Sequence, residues 1–248
     1  MSTDLTDLFQ QLKELLDKED HESAIDLCDQ ILAASPGDTD ALKSKVVCLI
    51  ELSKNEDALQ VIEAAPSLET ECTFEKAYCL YSLHREDEAL TILAPNGERP
   101  SGERELQLAG QIAYRQGKFA LAADYFQASE TSAGSGSSEL SVNILAALVS
   151  AGKGAEALAY AKASGYGEDS SGDATQFELH YNHACAAIAT GQLPLAKRLV
   201  NTAIELCRET LSKDDDYTEE EVEVTRRPHS RAACIAPAAN PPTHKKAP

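Results

Sequence analysis

Apolar positions along the chain recur at helical spacing in short blocks, each interrupted by a polar or glycine turn. The clearest block is GKFALAADYFQASE at 117–130. There Gly117 is followed by the apolar Phe119 two residues on, Ala122 five on and the bulky Phe126 nine on. Aligning on the alanine finds the same shape at Ala24, Ala58, Ala89, Ala122, Ala157 and Ala196, at successive spacings of 34, 31, 33, 35 and 39 residues. An amphipathic stretch and a turn precede each alanine, as in AYRQG ending at Gly117 and VSAG ending at Gly152, and a second amphipathic stretch follows. The pattern predicts six helix–turn–helix units.

Two antiparallel helices approach closely only where a small side chain stands at their crossing, which accounts for the recurring alanine. A unit of about 34 residues has the tetratricopeptide period. Gly110, Gly117, Phe119, Ala122 and Phe126 carry that pattern best, and Pro36 stands where a closing proline is expected after Ala24. The expectation is an all-α tetratricopeptide-repeat superhelical solenoid of about six helix pairs over residues 1–221. Segments 94–103, 128–139 and 164–176 are rich in Gly, Ser and Pro and are expected to be exposed, mobile loops. The last of them accounts for the 39-residue spacing. A final helix is expected from about Pro194 to about Ser212. Residues 222–248 hold Pro228, Pro237, Pro241, Pro242 and Pro248 with no helical period, and are expected to form a disordered, Pro-rich basic tail.

Composition supports helices over a β-sandwich: 43% of the 248 residues are apolar but only 5% aromatic, with no Trp. No run approaches the roughly 20 apolar residues of a membrane span, so no membrane insertion is expected. The acidic, amphipathic start MSTDLTDLFQQLKELL is unlike a secretory signal. Seven cysteines, an odd number set mostly among apolar residues, read as reduced core thiols of a cytoplasmic protein. The formal net charge is −19, and no acid follows Glu223. A body this acidic repels phosphate, so no direct RNA contact is expected, while a basic partner would be steered toward it.

The stretch HYNHACAAIATGQLPLA (180–196) places His180, His183 and Cys185 close together. His180 and His183 share a helical face, but Cys185 lies about 200° round the helix from His183, so the three cannot face one ion. No CxxC or HExxH accompanies them, no glycine-rich phosphate loop or GxSxG occurs, and the acidic runs read as solvated surface. Nothing here indicates an enzyme, a metal or a cofactor.

Stacked helix pairs present a concave face lined by the first helix of each pair. By common register the expected peptide-binding line holds Phe9, Lys13 and Leu16, then Lys43, Val47 and Ile50, then Phe74, Tyr78 and Tyr81. It continues through Gln107, Gln111 and Tyr114, then Val142, Ala146 and Val149, and ends at Tyr181, Cys185 and Ile188. Aromatic and aliphatic side chains on such a line suit a peptide. Packing against neighbouring units is the competing role for each of them. Only Lys13 and Lys43 fall where a chaperone-binding domain would set a cluster of cations to hold a terminal carboxylate. A cochaperone or other general adaptor is therefore the second reading.

The segments ALKSKVVCLIEL (41–52), FEKAYCLYSLHREDEALTIL (74–93), YNHACAAIATGQLPLA (181–196) and LCRETLSKDDD (206–216) resemble the family of the 72-kilodalton subunit of the eukaryotic signal recognition particle, in its N-terminal repeat region. The resemblance covers about residues 5–221. It implies a non-catalytic scaffold that binds a C-terminal segment of the 68-kilodalton subunit, in the particle that targets ribosomes to the endoplasmic reticulum. The aromatic line at Phe74, Tyr78 and Tyr81 is where that segment is expected. The family continues with further repeats and a lysine-rich RNA-binding region, which are absent here. The tail RRPHSRAACIAPAANPPTHKKAP resembles nothing in the family and is expected to carry no function.

Overall fold

Six alanines set the architecture. Ala24, Ala58, Ala89, Ala122 and Ala157 are wholly buried and Ala196 almost so, each near the start of the second helix of a pair. The computed structural model describes residues 5–133, 137–165 and 177–213, so the expected tail at 222–248 and most of the 164–176 loop lie outside the described residues. The described residues form twelve α-helices and no strand: α1 (Leu5–Asp17), α2 (His21–Ala34), α3 (Thr39–Glu51), α4 (Asn55–Ala64), α5 (Thr73–Ser82), α6 (Glu86–Leu93), α7 (Glu103–Arg115), α8 (Phe119–Ala133), α9 (Ser138–Ser150), α10 (Gly154–Ala163), α11 (Phe177–Ala189) and α12 (Leu193–Lys213). They divide into two compact units, residues 1–101 with α1–α6 and residues 102 onward with α7–α12. In each unit every helix packs on its partner and on the next helix in sequence.

One turn geometry joins all six pairs. The residue two beyond the end of each first helix, Glu19, Ser53, His84, Gly117, Gly152 or Gly191, takes a positive φ of 58–76°. Its N–H donates to the carbonyl three residues back, and the next N–H donates to the carbonyl five back, as in Gly117 to Tyr114 and Lys118 to Ala113. These are the two bonds of a Schellman stop. The following residue's carbonyl then accepts from the N–H of the conserved-register alanine, so stop and restart are coupled. Three units place glycine at the left-handed position, and three place a residue with a Cβ that is strained there. Ser53→Gly is therefore expected to raise stability by about 0.5–1 kcal/mol and Gly152→Ala to lower it by about as much. Paired denaturant titrations check this, and equal midpoints for the two variants would contradict it.

Helix ends follow local chemistry. Asp20, Asp38 and Ser137 cap α2, α3 and α9 by accepting from the N–H three residues on. Two expected loops are more ordered than composition suggested. Residues 128–133 continue α8, because Ser129 Oγ donates to the Glu103 carbonyl at 3.2 Å and Glu130 accepts from the Tyr160 phenol at 2.6 Å. In the 94–103 segment Ala94 and Pro100 are buried and Pro95–Gly97 forms a single 3-10 turn.

The Tyr160 hydroxyl also lies 3.1 Å from Ser141 Oγ and so ties α8, α9 and α10 together. Burial, with the Glu130 carboxylate beside it, pushes the phenol up to about 12. A folded-state value above the unfolded one of about 10 means the contribution is complete below pH 10 and fades as pH rises toward 12. Tyr160→Phe is expected to cost about 1–2 kcal/mol at neutral pH. Thermal midpoints at pH 7 and pH 11 should differ less in the variant than in the parent. An equal difference would show that the phenol bonds contribute nothing.

Candidate peptide-binding face

In the first unit the expected line is only partly accessible. Phe9 and Leu16 of α1 pack against the buried cluster of Leu8, Leu12, Leu27, Cys28 and Ile31, while Lys13 is exposed. On α3, Val47 is 41% exposed, but Ile50 is buried. On α5, Phe74 and Tyr81 are buried, at 7% and 4% exposure, and Tyr78 alone is half-buried. The expectation that Ile50, Phe74 and Tyr81 offer open contact surface is therefore corrected: these three side chains are core. The cause is local, since α5 is ten residues long and packs against α3, α4 and α6. Phe74 supports Tyr78 from within, the rings nearly parallel (21°) with centroids 6.4 Å apart. Burial pushes the Tyr78 phenol up, opposed by a hydrogen bond with Ser82 and reinforced by the Glu51 carboxylate. Glu51 and Ser82 were not in the expected line. They stand four residues beyond Val47 and Tyr78, the spacing that could have found them.

Lys43 forms an ion pair with Glu71. That pairing removes one of the only two cations expected in the carboxylate-holding positions.

In the second unit the line is continuous in character. Gln107, Gln111 and Tyr114 of α7, Val142, Ala146 and Val149 of α9, and Tyr181 and Cys185 of α11 are all half-buried, and Ile188 is 54% exposed. None is charged. Tyr114 meets Phe119 edge-on, with ring centroids 5.1 Å apart, and shares a 3.2 Å hydroxyl bond with Ser150 at the end of α9. The Asn182 amide donates to the Val142 carbonyl at 3.2 Å and so holds α11 against α9. Gln107 donates weakly to Glu103 at 3.4 Å. The Gln111 carbonyl oxygen is buried with no hydrogen-bond partner among the described residues. Tyr181 lies against Cys185, and its phenol is raised, first by burial and then by that thiol.

His183 is buried, burial lowers the half-buried His180 below its ordinary value, and no three His, Cys, Asp or Glu side chains come together for an ion among the described residues. Burial also pushes Cys28 and Cys79 up to about 12 and Cys48 to about 11, which makes these thiols unreactive core residues. No helix among the described residues is long and apolar enough to cross a membrane.

Repeated helix pairs with one small-residue crossing and one turn geometry define a tetratricopeptide-type scaffold. The chain belongs to the SRP_TPR_like family of TPR-like repeats, which matches residues 17–150. It is similar to the signal recognition particle subunit SRP72 of Schistosoma mansoni, at 31% identity over 217 residues, covering 88% of this chain and 29% of that protein. The Homo sapiens SRP72 is 32% identical over 203 residues, covering 82% of this chain and 29% of the relative. The Dictyostelium discoideum SRP72 is 28% identical over 88% of this chain and 31% of its own length. The chain thus spans less than a third of these relatives, and the similarity is to the N-terminal repeat region of SRP72. Among solved structures, the type IV pilus biogenesis factor PilW aligns over 90% of this chain and 99% of its own, with a TM-score of 0.58 at 18% identity. That likeness is one of fold.

Proposed function

We propose that the chain is a non-catalytic, cytoplasmic scaffold of the signal recognition particle. In this reading its first-helix line binds a C-terminal segment of the 68-kilodalton subunit, for co-translational targeting to the endoplasmic reticulum. The observation that carries the reading is the uncharged, half-buried line on α7, α9 and α11, in a chain whose net charge is −19. Such a line offers apolar area with hydroxyl and amide groups at its edge, the composition of a peptide-binding surface. Similarity to SRP72 supports the choice of partner. In the first unit, taken by itself, Lys13, Val47 and Tyr78 are the accessible members of the expected line, with Phe9, Phe74 and Tyr81 packed beneath.

The cochaperone reading loses support from Lys43, whose charge is already matched by Glu71. Direct RNA binding is not part of the proposal, because the acidic surface repels phosphate. The test is anisotropy of a labelled 68-kilodalton-subunit segment against the full chain. Saturable binding that fails to develop with the Tyr114→Ala, Tyr181→Ala double variant supports the reading. Unchanged binding by that variant, shown to be folded, overturns the assignment of the face.

A further inference from the structure

Helix α7 is closed in on every side but one. From Leu106 to Tyr114 all residues are buried except Gln107, Gln111 and Tyr114, whose spacing sets them in one stripe. The stripe at the same register on α9, Val142, Ala146 and Val149, is apolar. The 3.2 Å bond between the Tyr114 and Ser150 hydroxyls joins the two helices beside the ends of their stripes.

On its open side α7 therefore offers two carboxamides, and one of them is poorly satisfied. The Gln111 oxygen is enclosed with no hydrogen-bond partner among the described residues, whereas its nitrogen is not enclosed and donates to none of them. An enclosed acceptor without a donor destabilises the free chain. A methionine would fill the same space without that penalty. Shutting the oxygen in leaves the nitrogen, a donor, on the open side of the line. Gln107 holds Glu103 only weakly, at 3.4 Å, and can exchange that contact readily.

The two amides stand one helical turn apart, about 6 Å along α7. Alternate residues of an extended chain repeat at about 6.6–6.8 Å, with their carbonyls on the same side. An extended stretch lying along α7 thus brings one carbonyl to each nitrogen. A helical stretch has its carbonyls engaged internally and cannot. With its main chain on Gln107 and Gln111, the stretch turns apolar side chains toward Val142, Ala146 and Val149. Its backbone polar groups, which are unfavourable to bury unpaired, find partners in the amides.

We propose that Gln107 and Gln111 fix the main chain of the bound segment, their carboxamide nitrogens donating to alternate carbonyls of an extended stretch between the α7 and α9 stripes. This rests on the reading that the first-helix line binds the 68-kilodalton-subunit segment, and adds the conformation of the bound stretch and the groups that hold it. Retention of a poorly satisfied amide at residue 111, where an apolar side chain would make the free chain more stable, follows from that role.

The test has two parts, both on the full chain. In the absence of the segment, Gln111→Met should raise the melting temperature by about 2–4 °C, because the enclosed oxygen is gone. An unchanged or lower melting temperature would overturn the proposal. With the labelled segment, anisotropy should show binding weakened about tenfold by Gln111→Met and about threefold by Gln107→Met. Segments with one backbone amide at a time replaced by an ester, whose carbonyl is the poorer acceptor, then locate each bond. One ester should weaken binding to the parent chain about fivefold but to Gln111→Met by less than about twofold. The ester on the neighbouring alternate residue should behave in the same way toward Gln107→Met. Glutamine variants that bind as the parent does, or esters with equal effects on parent and variants, would overturn the proposal and leave the assignment of the face standing. A folded parent chain that binds no segment would overturn that assignment and this proposal with it.

Discussion

Gly110→Ala should destabilise the second unit even though alanine is the better helix former. A Cβ at residue 110 would lie 2.5 Å from Cε1 and 2.7 Å from Cδ1 of Phe126, a wholly buried ring that cannot swing away. Overpacking of this kind costs about 1–3 kcal/mol, against about 1 kcal/mol gained in helix propensity. Phe126→Ala should cost more, about 3–5 kcal/mol, through lost burial and the cavity left behind. The informative result is the double variant. With the ring gone, the added methyl occupies space that would otherwise be empty, so the pair should cost less than the sum of the single changes by about 1 kcal/mol or more. Urea unfolding of the four proteins reads this coupling, and additivity within about 0.3 kcal/mol would contradict the close approach of α7 and α8 at Gly110.

The second large effect is on binding. Tyr114→Ala should weaken capture of the 68-kilodalton-subunit segment by about thirtyfold, the size expected of a buried aromatic anchor. Tyr114→Phe should weaken it far less, because the ring area against Phe119 is kept and only the hydroxyl bond to Ser150 is lost. Phe74→Leu should leave affinity almost unchanged while lowering the melting temperature, since Phe74 is core. The three variants together separate contact from support. A Phe74→Leu effect on affinity as large as that of Tyr114→Ala would return the site to the α5 aromatics.

The fold was legible because its signal is periodic. One small residue at each crossing recurs at a nearly constant interval, and all six alanines are buried as that requires. The crossing also shows compensation at fixed register: seven residues before each left-handed residue and nine after it stand Leu12 and Cys28, Val46 and Ile62, Ala77 and Leu93, Gly110 and Phe126, Leu145 and Ala161, and Ala184 and Val200. In every pair but Val46 and Ile62, a larger side chain on one helix comes with a smaller one on the other. Half of the turns were harder to read, because Glu19, Ser53 and His84 lack the glycine that marks their equivalents and are revealed by their backbone bonds.

The site was less legible than the fold. Helical spacing places Phe74, Tyr78 and Tyr81 on one side of α5, yet burial depends on which neighbours close over that side. Three helices close over the short α5, leaving Tyr78 accessible and sealing the other two. On α9 and α11 the same register leaves Val142, Val149 and Tyr181 half-buried. The order in residues 128–133 escaped detection for a related reason: Ser129 and Glu130 find partners 26 and 30 residues away, beyond the reach of a local pattern.

The most direct measurement is calorimetric titration of the full chain with the C-terminal segment of the same organism's 68-kilodalton subunit, once with a free terminus and once amidated. One-to-one binding of equal affinity for both forms is the predicted result. A folded chain that takes up no heat with either form, or that loses its affinity on amidation, would contradict the assignment of this face to that partner.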